Sequence, residues 1–350
     1  MKHVFVGLSG GVDSALSAYL LKQQGYKVTG VFLKVWEPDF LPCTSGQDRL
    51  DAMRVAAHLG IPFLTYNLEE EYKKSVVDYF VNEYKKGRTP NPDVMCNRSI
   101  KFGSFWERAQ KEGADYIATG HYAQAREVRG KRALYQGADP SKDQSYFLWT
   151  LTQDDLEHVL FPIGHLNKTE VRAKADEAGL PNATKKDSQG LCFLGHVDMH
   201  EFLKHYIPVE KGFIKNEKGE KIGEHDGVYF YTLNQRINVA TGEKLYVVGK
   251  DKALNELHVS SNPEEGVAGS TTYTLSDVNW IREQPSENKT YNAHIRYHSD
   301  DHPVNITGSK VTFGESALIA EGQSLVVYDS ETNECIGGGI IESDASPDNR

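Results

Sequence analysis

Ser9-Gly10-Gly11-Val12-Asp13-Ser14 stands between two stretches of opposite habit. Before it, Lys2 to Leu8 is short and apolar and reads as a buried strand. After it, Ala15 to Gln24 carries Leu16, Tyr19, Leu20 and Leu21 at helical spacing, with Gly25 placed to end the helix. The paired glycines let backbone approach a ligand closely, and the two serines add hydroxyl donors. The first-turn N–H groups point the same way, where the helix dipole favours an anion. Strand, glycine-serine turn and helix N-terminus together predict a phosphate cradle. The plain alternative is a tight turn whose glycines serve packing alone.

Outward from that turn, strand and helix signals alternate. Tyr26 to Val35 is β-rich, Gln47 to Leu59 is helical with Gly60 as its stop, and Ile61 to Leu68 reads as a strand. Glu69 to Lys86 is a long amphipathic helix with acids first and lysines last. Ile100 to Glu112 is helical, Tyr116 to Ala123 is a strand, and helical patterns follow at Gln153 to Val159 and Lys168 to Glu177. The alternation predicts a parallel sheet with crossovers and a ligand at the carboxyl edge of its strands.

The pattern changes after about Tyr206. A glycine-rich stretch with a hairpin turn at Asn216-Glu217-Lys218-Gly219 gives way to alternating β segments at Thr290 to Tyr297, Ser309 to Ala320 and Gln323 to Tyr328. The expected organisation is therefore an α/β nucleotide domain over residues 1–206, a small connecting domain over 207–270, and a C-terminal β-barrel over 271–345.

The chain has 350 residues, 39% of them apolar, and a formal charge of −10. That is too long for one ordinary core, and the charge argues against a general nucleic-acid coat. Three short basic groups remain: Lys85, Lys86 and Arg88; Arg126, Arg129, Lys131 and Arg132; and Lys185 with Lys186. Each reads on its own as a solvated surface. No apolar run has the length of a membrane span, and no basic region followed by a long apolar stretch opens the chain, so a cytosolic protein is expected.

Cysteines stand at 43, 96, 192 and 335 with no CxxC pair, which removes the usual structural-zinc and cluster spacings. Cys96 closes the proline-stiffened segment Thr89-Pro90-Asn91-Pro92-Asp93-Val94-Met95-Cys96, expected as an extended loop just ahead of the helix at Ile100. There, with Arg98 and Lys101 close by, its thiol would ionise readily. Asp93 could accept or return a proton. The alternative is that Cys96 packs as a small hydrophobe. Cys192, in Asp187-Ser188-Gln189-Gly190-Leu191-Cys192-Phe193, reads either as part of a buried strand or as part of a loop that changes position.

The opening turn has neither the Walker lysine nor a GxGxxG fingerprint, and it resembles the SGGxDS loop of the ATP pyrophosphatases, which cleave ATP between the α and β phosphates. Taken with Gly87-Arg88-Thr89-Pro90-Asn91-Pro92-Asp93, Cys96-Asn97, Ala118-Thr119-Gly120-His121-Tyr122, Lys142-Asp143-Gln144-Ser145, the Cys192 segment, Asn279-Trp280 and Arg296-Tyr297, it makes nearly the whole chain resemble the tRNA-specific 2-thiouridylase family.

The resemblance implies an enzyme that adenylylates the wobble uridine of tRNA and replaces its 2-oxygen with sulfur. It implies ATP at Gly7, Leu8, Ser9, Gly10, Gly11, Val12, Asp13 and Ser14, with Leu33 (commonly methionine in the family) and Gly120 beside the nucleotide. Asn91, Pro92 and Asp93 would touch the target base, with Asp93 as acid/base. His121, Lys142, Asp143, Gln144, Arg296, Tyr297 and Gln323 would contact tRNA. Cys96 would be the nucleophile and Cys192 the persulfide carrier, joined by a transient disulfide after turnover. ATP with Mg²⁺ and a persulfide donor protein such as a cysteine desulfurase complete the implied picture; separately, a monomer with no metal site of its own is expected. A small-molecule synthetase and a non-catalytic nucleotide- or RNA-binding protein are the alternatives; tRNA-dependent release of pyrophosphate separates them.

Overall fold

A computed structural model of the chain describes residues 1–40, 45–187, 198–239, 242–262 and 270–342. In the N-terminal part, strands β1 (His3–Gly7), β2 (Lys27–Lys34), β3 (Phe63–Asn67), β4 (Tyr116–Ala118) and β7 (Val159–Leu160) form a parallel sheet in the order β3-β2-β1-β4-β7. The expected parallel α/β architecture is observed.

Helices cover both faces, so β1 and β2 are apolar on both sides and successive residues enter different cores. Phe5, Val31 and Leu33 join one cluster, and Val4, Val6, Val28 and Phe32 join the other. The chain winds outward from β1 through β2 to β3, then returns to place β4 on the other flank of β1. The carboxyl ends of β1 and β4 therefore bound a topological switch point, where a crevice opens.

Two local expectations are corrected. The strand expected from Tyr116 to Ala123 is broken: Tyr116–Ala118 stays in the parallel sheet, while Ala123 begins a hairpin of β5 (Ala123–Val128) and β6 (Lys131–Gln136). The Arg126–Arg132 basic group is this hairpin, turned at Arg129-Gly130 with both residues at positive φ. The second correction concerns the segment before Cys96. It is helical from Pro92, because Pro92 takes the first helical position and the Asn91 side chain caps the N–H groups of Asp93 and Val94 at 3.1 and 3.2 Å. The helix then runs on through a π-turn at Asn97–Ser104 into Phe105–Lys111.

Strands β8 (Gly212–Lys215), β9 (Lys221–His225), β10 (Arg236–Ile237), β11 (Leu245–Asp251) and β12 (Glu256–Ser260) form a second sheet over its own small core, which includes Ile214, Val228, Val247 and Leu257. Strands β13 (Ser270–Trp280), β14 (Tyr291–His294), β15 (His302–Thr307), β16 (Lys310–Ala317), β17 (Ser324–Tyr328) and β18 (Glu334–Glu342) make a six-stranded barrel. It closes where β13 pairs with β18. The N-terminal hairpin extends this barrel sheet, β6 pairing with β18 at Tyr135–Glu334 and Leu134–Cys335.

Candidate active site

The crevice at the switch point is a cleft of about 570 Å³. Its floor is the turn between β1 and the helix Val12–Gln23. Gly10 has φ +79, and a Cβ there would lie 2.5 Å from the Asp48 carbonyl oxygen, so only glycine fits this turn. Gly11 takes the N-cap position, with no side chain capping the first helical turn. Val12, Asp13 and Ser14 thus border the cleft at the start of the helix, where its partial positive charge lies. Ser14 Oγ holds the turn closed, donating to Gly11 O at 3.1 Å and accepting from the Ser9 N–H at 3.2 Å.

Gly120, just past β4, closes in from the other side. A Cβ on it would fall 2.7 Å from Ser14 N. Leu8, Phe32, Leu33 and Val35 give the cleft an apolar wall suited to a flat ring system.

The opposite wall comes from one face of the Pro92–Lys111 helical run. Asp93, Asn97, Lys101 and Phe105 recur every fourth residue and all line the cleft; the π-turn between them keeps that spacing on one face. His121, Lys142, Gln144, Phe147 and Tyr297 complete it. The glycine-serine turn and Asp93 therefore border a single cavity. His121 is buried, and burial with the Lys101 charge beside it holds its pKa well below the ordinary value. As a neutral ring it accepts from Lys101 Nζ at Nε2 (3.4 Å), leaving Nδ1–H to donate to Thr119 Oγ1 (2.7 Å).

Other expected site residues have partners within the chain. Cys96 is fully buried and packs in the core beside Ile100 and Phe105, one residue away from the cleft-lining Asn97. The expected thiol at a helix N-terminus is thus corrected: the helix begins four residues earlier, and Arg98 pairs with Asp277 of the barrel. Asp143 is buried as well, accepting from the N–H groups of Gly137 (2.7 Å) and Ser145 (3.1 Å) and from Ser145 Oγ (2.8 Å). Gln323 donates to the Thr89 carbonyl at 3.0 Å. Arg296 is exposed outside the cleft lining. Cys192 and Cys43 lie outside the described residues.

Sequence reasoning missed Lys168. Its Nζ donates to both Asp13 oxygens (2.8 and 2.9 Å) and lies 2.8 Å from Asp187, which also binds Lys142 (2.9 Å) and Arg172 (2.7 Å). Burial works against ionising Asp187, yet the hydrogen bonds from Lys168 and Lys142 bring its pKa down to about 2. The Tyr122 hydroxyl donates to Asp13 at 2.7 Å, and burial together with Asp13 pushes the phenol pKa far up, so it remains a donor. A signal was present: Asn167 and Glu170 form a capping box, which puts Lys168 at the first helical position, where a cation opposes the helix dipole.

No three His, Cys, Asp or Glu side chains among the described residues converge as a metal cage. Of the acids that line the cleft, Asp13 pairs with Lys168 and Asp48, from the helix Ser45–Leu59, pairs with Lys185.

Comparison with known proteins places this architecture. Residues 2–196 match a tRNA methyl transferase HUP domain, 200–261 a tRNA methyl transferase PRC-barrel domain, and 270–341 an aminomethyltransferase beta-barrel domain. A tRNA-specific 2-thiouridylase MnmA 2 from Geobacillus kaustophilus is 47% identical, covering 97% of this chain and 94% of its own length. The chain belongs to the tRNA-specific 2-thiouridylase family. Members from Nitrosomonas europaea and Bacillus subtilis are 46% and 44% identical, each over 97% of this chain and 97% and 94% of their own lengths. Across this thiouridylase chain no helix among the described residues is long and apolar enough to cross a membrane.

Proposed function

We propose that the chain catalyses ATP-dependent 2-thiolation of the wobble uridine of tRNA. The observation that carries this reading is the single cleft bordered by both the glycine-serine turn and Asp93. The turn takes the phosphates of ATP, with accompanying Mg²⁺ as part of the substrate, and the Leu8–Leu33 wall takes the adenine. The target base, out of its stack, lies along Asp93, Gln144 and Tyr297.

The uridine 2-oxygen attacks the α-phosphorus and pyrophosphate leaves, so the oxygen departs later as AMP rather than as hydroxide. Asp93 holds or moves the proton at the uridine ring. Sulfur comes from a Cys192 persulfide, loaded by a persulfide donor protein in the cytoplasm. Its terminal sulfur attacks C2 and AMP leaves. The Cys96 thiolate then displaces the product sulfur from Cys192, giving a Cys96–Cys192 disulfide that an external thiol reduces. In the alternative order, Cys96 attacks first and releases hydrosulfide, which attacks C2. Either order requires Cys96 to leave its core position, directly ahead of the π-turn that begins at Asn97. One chain supplies every residue in this scheme, in line with action as a monomer.

Mass analysis of wobble nucleosides after incubating tRNA with ATP, Mg²⁺ and a persulfide donor tests the reading. Cys192→Ser is expected to abolish 2-thiouridine while keeping ATP binding. Thiolation by that variant, or pyrophosphate release indifferent to tRNA, overturns it.

A further inference from the structure

A second cavity, of about 550 Å³, opens beside the active cleft, and the two share Tyr297. The Tyr297 ring lies 4.5 Å from Phe147, which faces the cleft, and 3.9 Å from His298, which faces the second cavity. The remaining walls come from the N-terminal hairpin (Tyr135, Gln136), from the buried Tyr146, and from the barrel (His294, Asn333). The site therefore exists only because β6 pairs with β18.

The chemistry of this lining selects among RNA groups. Two carboxylates border it: Asp143 at its base, and Asp301, which accepts from Asn292 (2.9 Å) and pairs with His294 Nε2 (2.8 Å). Arg126, the one arginine or lysine among the described lining residues, lies 4.7 Å above the Tyr135 ring. A phosphate inside would face both acids. A neutral planar base would find aromatic faces for stacking and uncharged Gln136 and Asn333 side chains for its edge.

We propose that this cavity binds the base of a nucleotide adjacent to the target uridine. The inference rests on the reading of the first cleft as the uridine site. Drawing one base out of a single-stranded loop unstacks its neighbour, and Tyr297 is placed to separate the two bases and contact both. The cavity would then make sequence next to the target part of substrate choice.

The test uses anticodon stem-loop RNAs with the target uridine intact and an abasic residue on its 5′ or 3′ side. For the unmodified enzyme, one of the two abasic RNAs is expected to lose about tenfold in kcat/KM for thiolation, the scale of one base–aromatic stack. The other abasic RNA reports which neighbour is bound. Tyr135→Ala removes a wall, and Ala138→Trp fills the cavity from an exposed position. In both variants the penalty should vanish, intact and abasic RNAs reacting equally, whereas Tyr135→Phe should keep it. The proposal is overturned if neither abasic RNA is disfavoured by the unmodified enzyme, or if the penalty persists in Ala138→Trp. Failure of the unmodified enzyme to thiolate the intact RNA would instead sink the uridine-site reading itself.

Discussion

At the scale of single residues, the site is organised by charges that satisfy one another before substrate arrives. Lys168 is 13% exposed and joins Asp13 of the turn to Asp187. Lys168→Met leaves both acids short of a partner and should cost about 1–2 kcal/mol of stability. The folded Asp187 pKa of about 2 lies below its ordinary 3.8, so its contribution is complete above about pH 4 and is lost as pH falls toward 2. The deficit of Lys168→Met, measured by urea unfolding, should therefore be larger at about pH 6 than at about pH 3. Asp93 makes a different kind of claim. Asp93→Asn keeps the shape of the side chain but removes the proton acceptor, and thiolation should fall about 100-fold or more with ATP binding retained. The place of Asp93 at the cleft was legible in the sequence because it sits in a dense local motif. Lys168 left only a faint local sign, its place at the start of a capped helix, because its partners are 155 and 19 residues away in the chain and only the fold brings them together.

Among the elements, the outcome divides between local and non-local causes. Parallel strands and the nucleotide turn were readable because both their faces are buried and their glycines are demanded by local geometry. The β5–β6 hairpin was read as solvated charge, since its edge partner β18 lies some 200 residues further on and leaves no local trace. The helix at Pro92 was read as a loop, although Asn91-Pro92 is an N-cap followed by a first-turn proline; two prolines so close together, Pro90 and Pro92, suggested extended chain throughout. Asn91→Ala should lose about 1 kcal/mol, and Asn91→Ser, which can still accept from the helix N–H groups, should recover most of it in thermal unfolding. Since the cap fixes the first turn on which Asp93 sits, Asn91→Ala should also lower kcat more than it changes ATP affinity.

Across the whole molecule, the three parts meet on one short strap, Gly87-Arg88-Thr89, directly upstream of Asn91 and Asp93. Arg88 bridges Glu83 of the N-terminal domain (2.7 Å) and Glu342 of the barrel (2.9 Å). The Thr89 N–H donates to Glu321 O (2.7 Å), and its hydroxyl lies 3.1 Å from that of Thr232 in the central part. Lys250 of β11 reaches in to donate to Gly87 O and Tyr231 O, both at 2.9 Å. Its hydrogen-bond partners are neutral carbonyls rather than a carboxylate, so burial, reinforced by Lys252, lowers its pKa from 10.5 to about 8. Between those two values the unfolded chain holds a proton that the folded chain has released. Stability from this group therefore rises with pH across the window, the opposite of the usual lysine in an ion pair. Lys250→Met abolishes the titration. Urea midpoints of the two proteins, compared at about pH 7.5 and about pH 9.5, should shift in favour of the unmodified chain at the higher value. A difference that stays constant, or that moves toward the variant, would mean that the amine is solvated and that Lys250 does not join the strap to the central sheet.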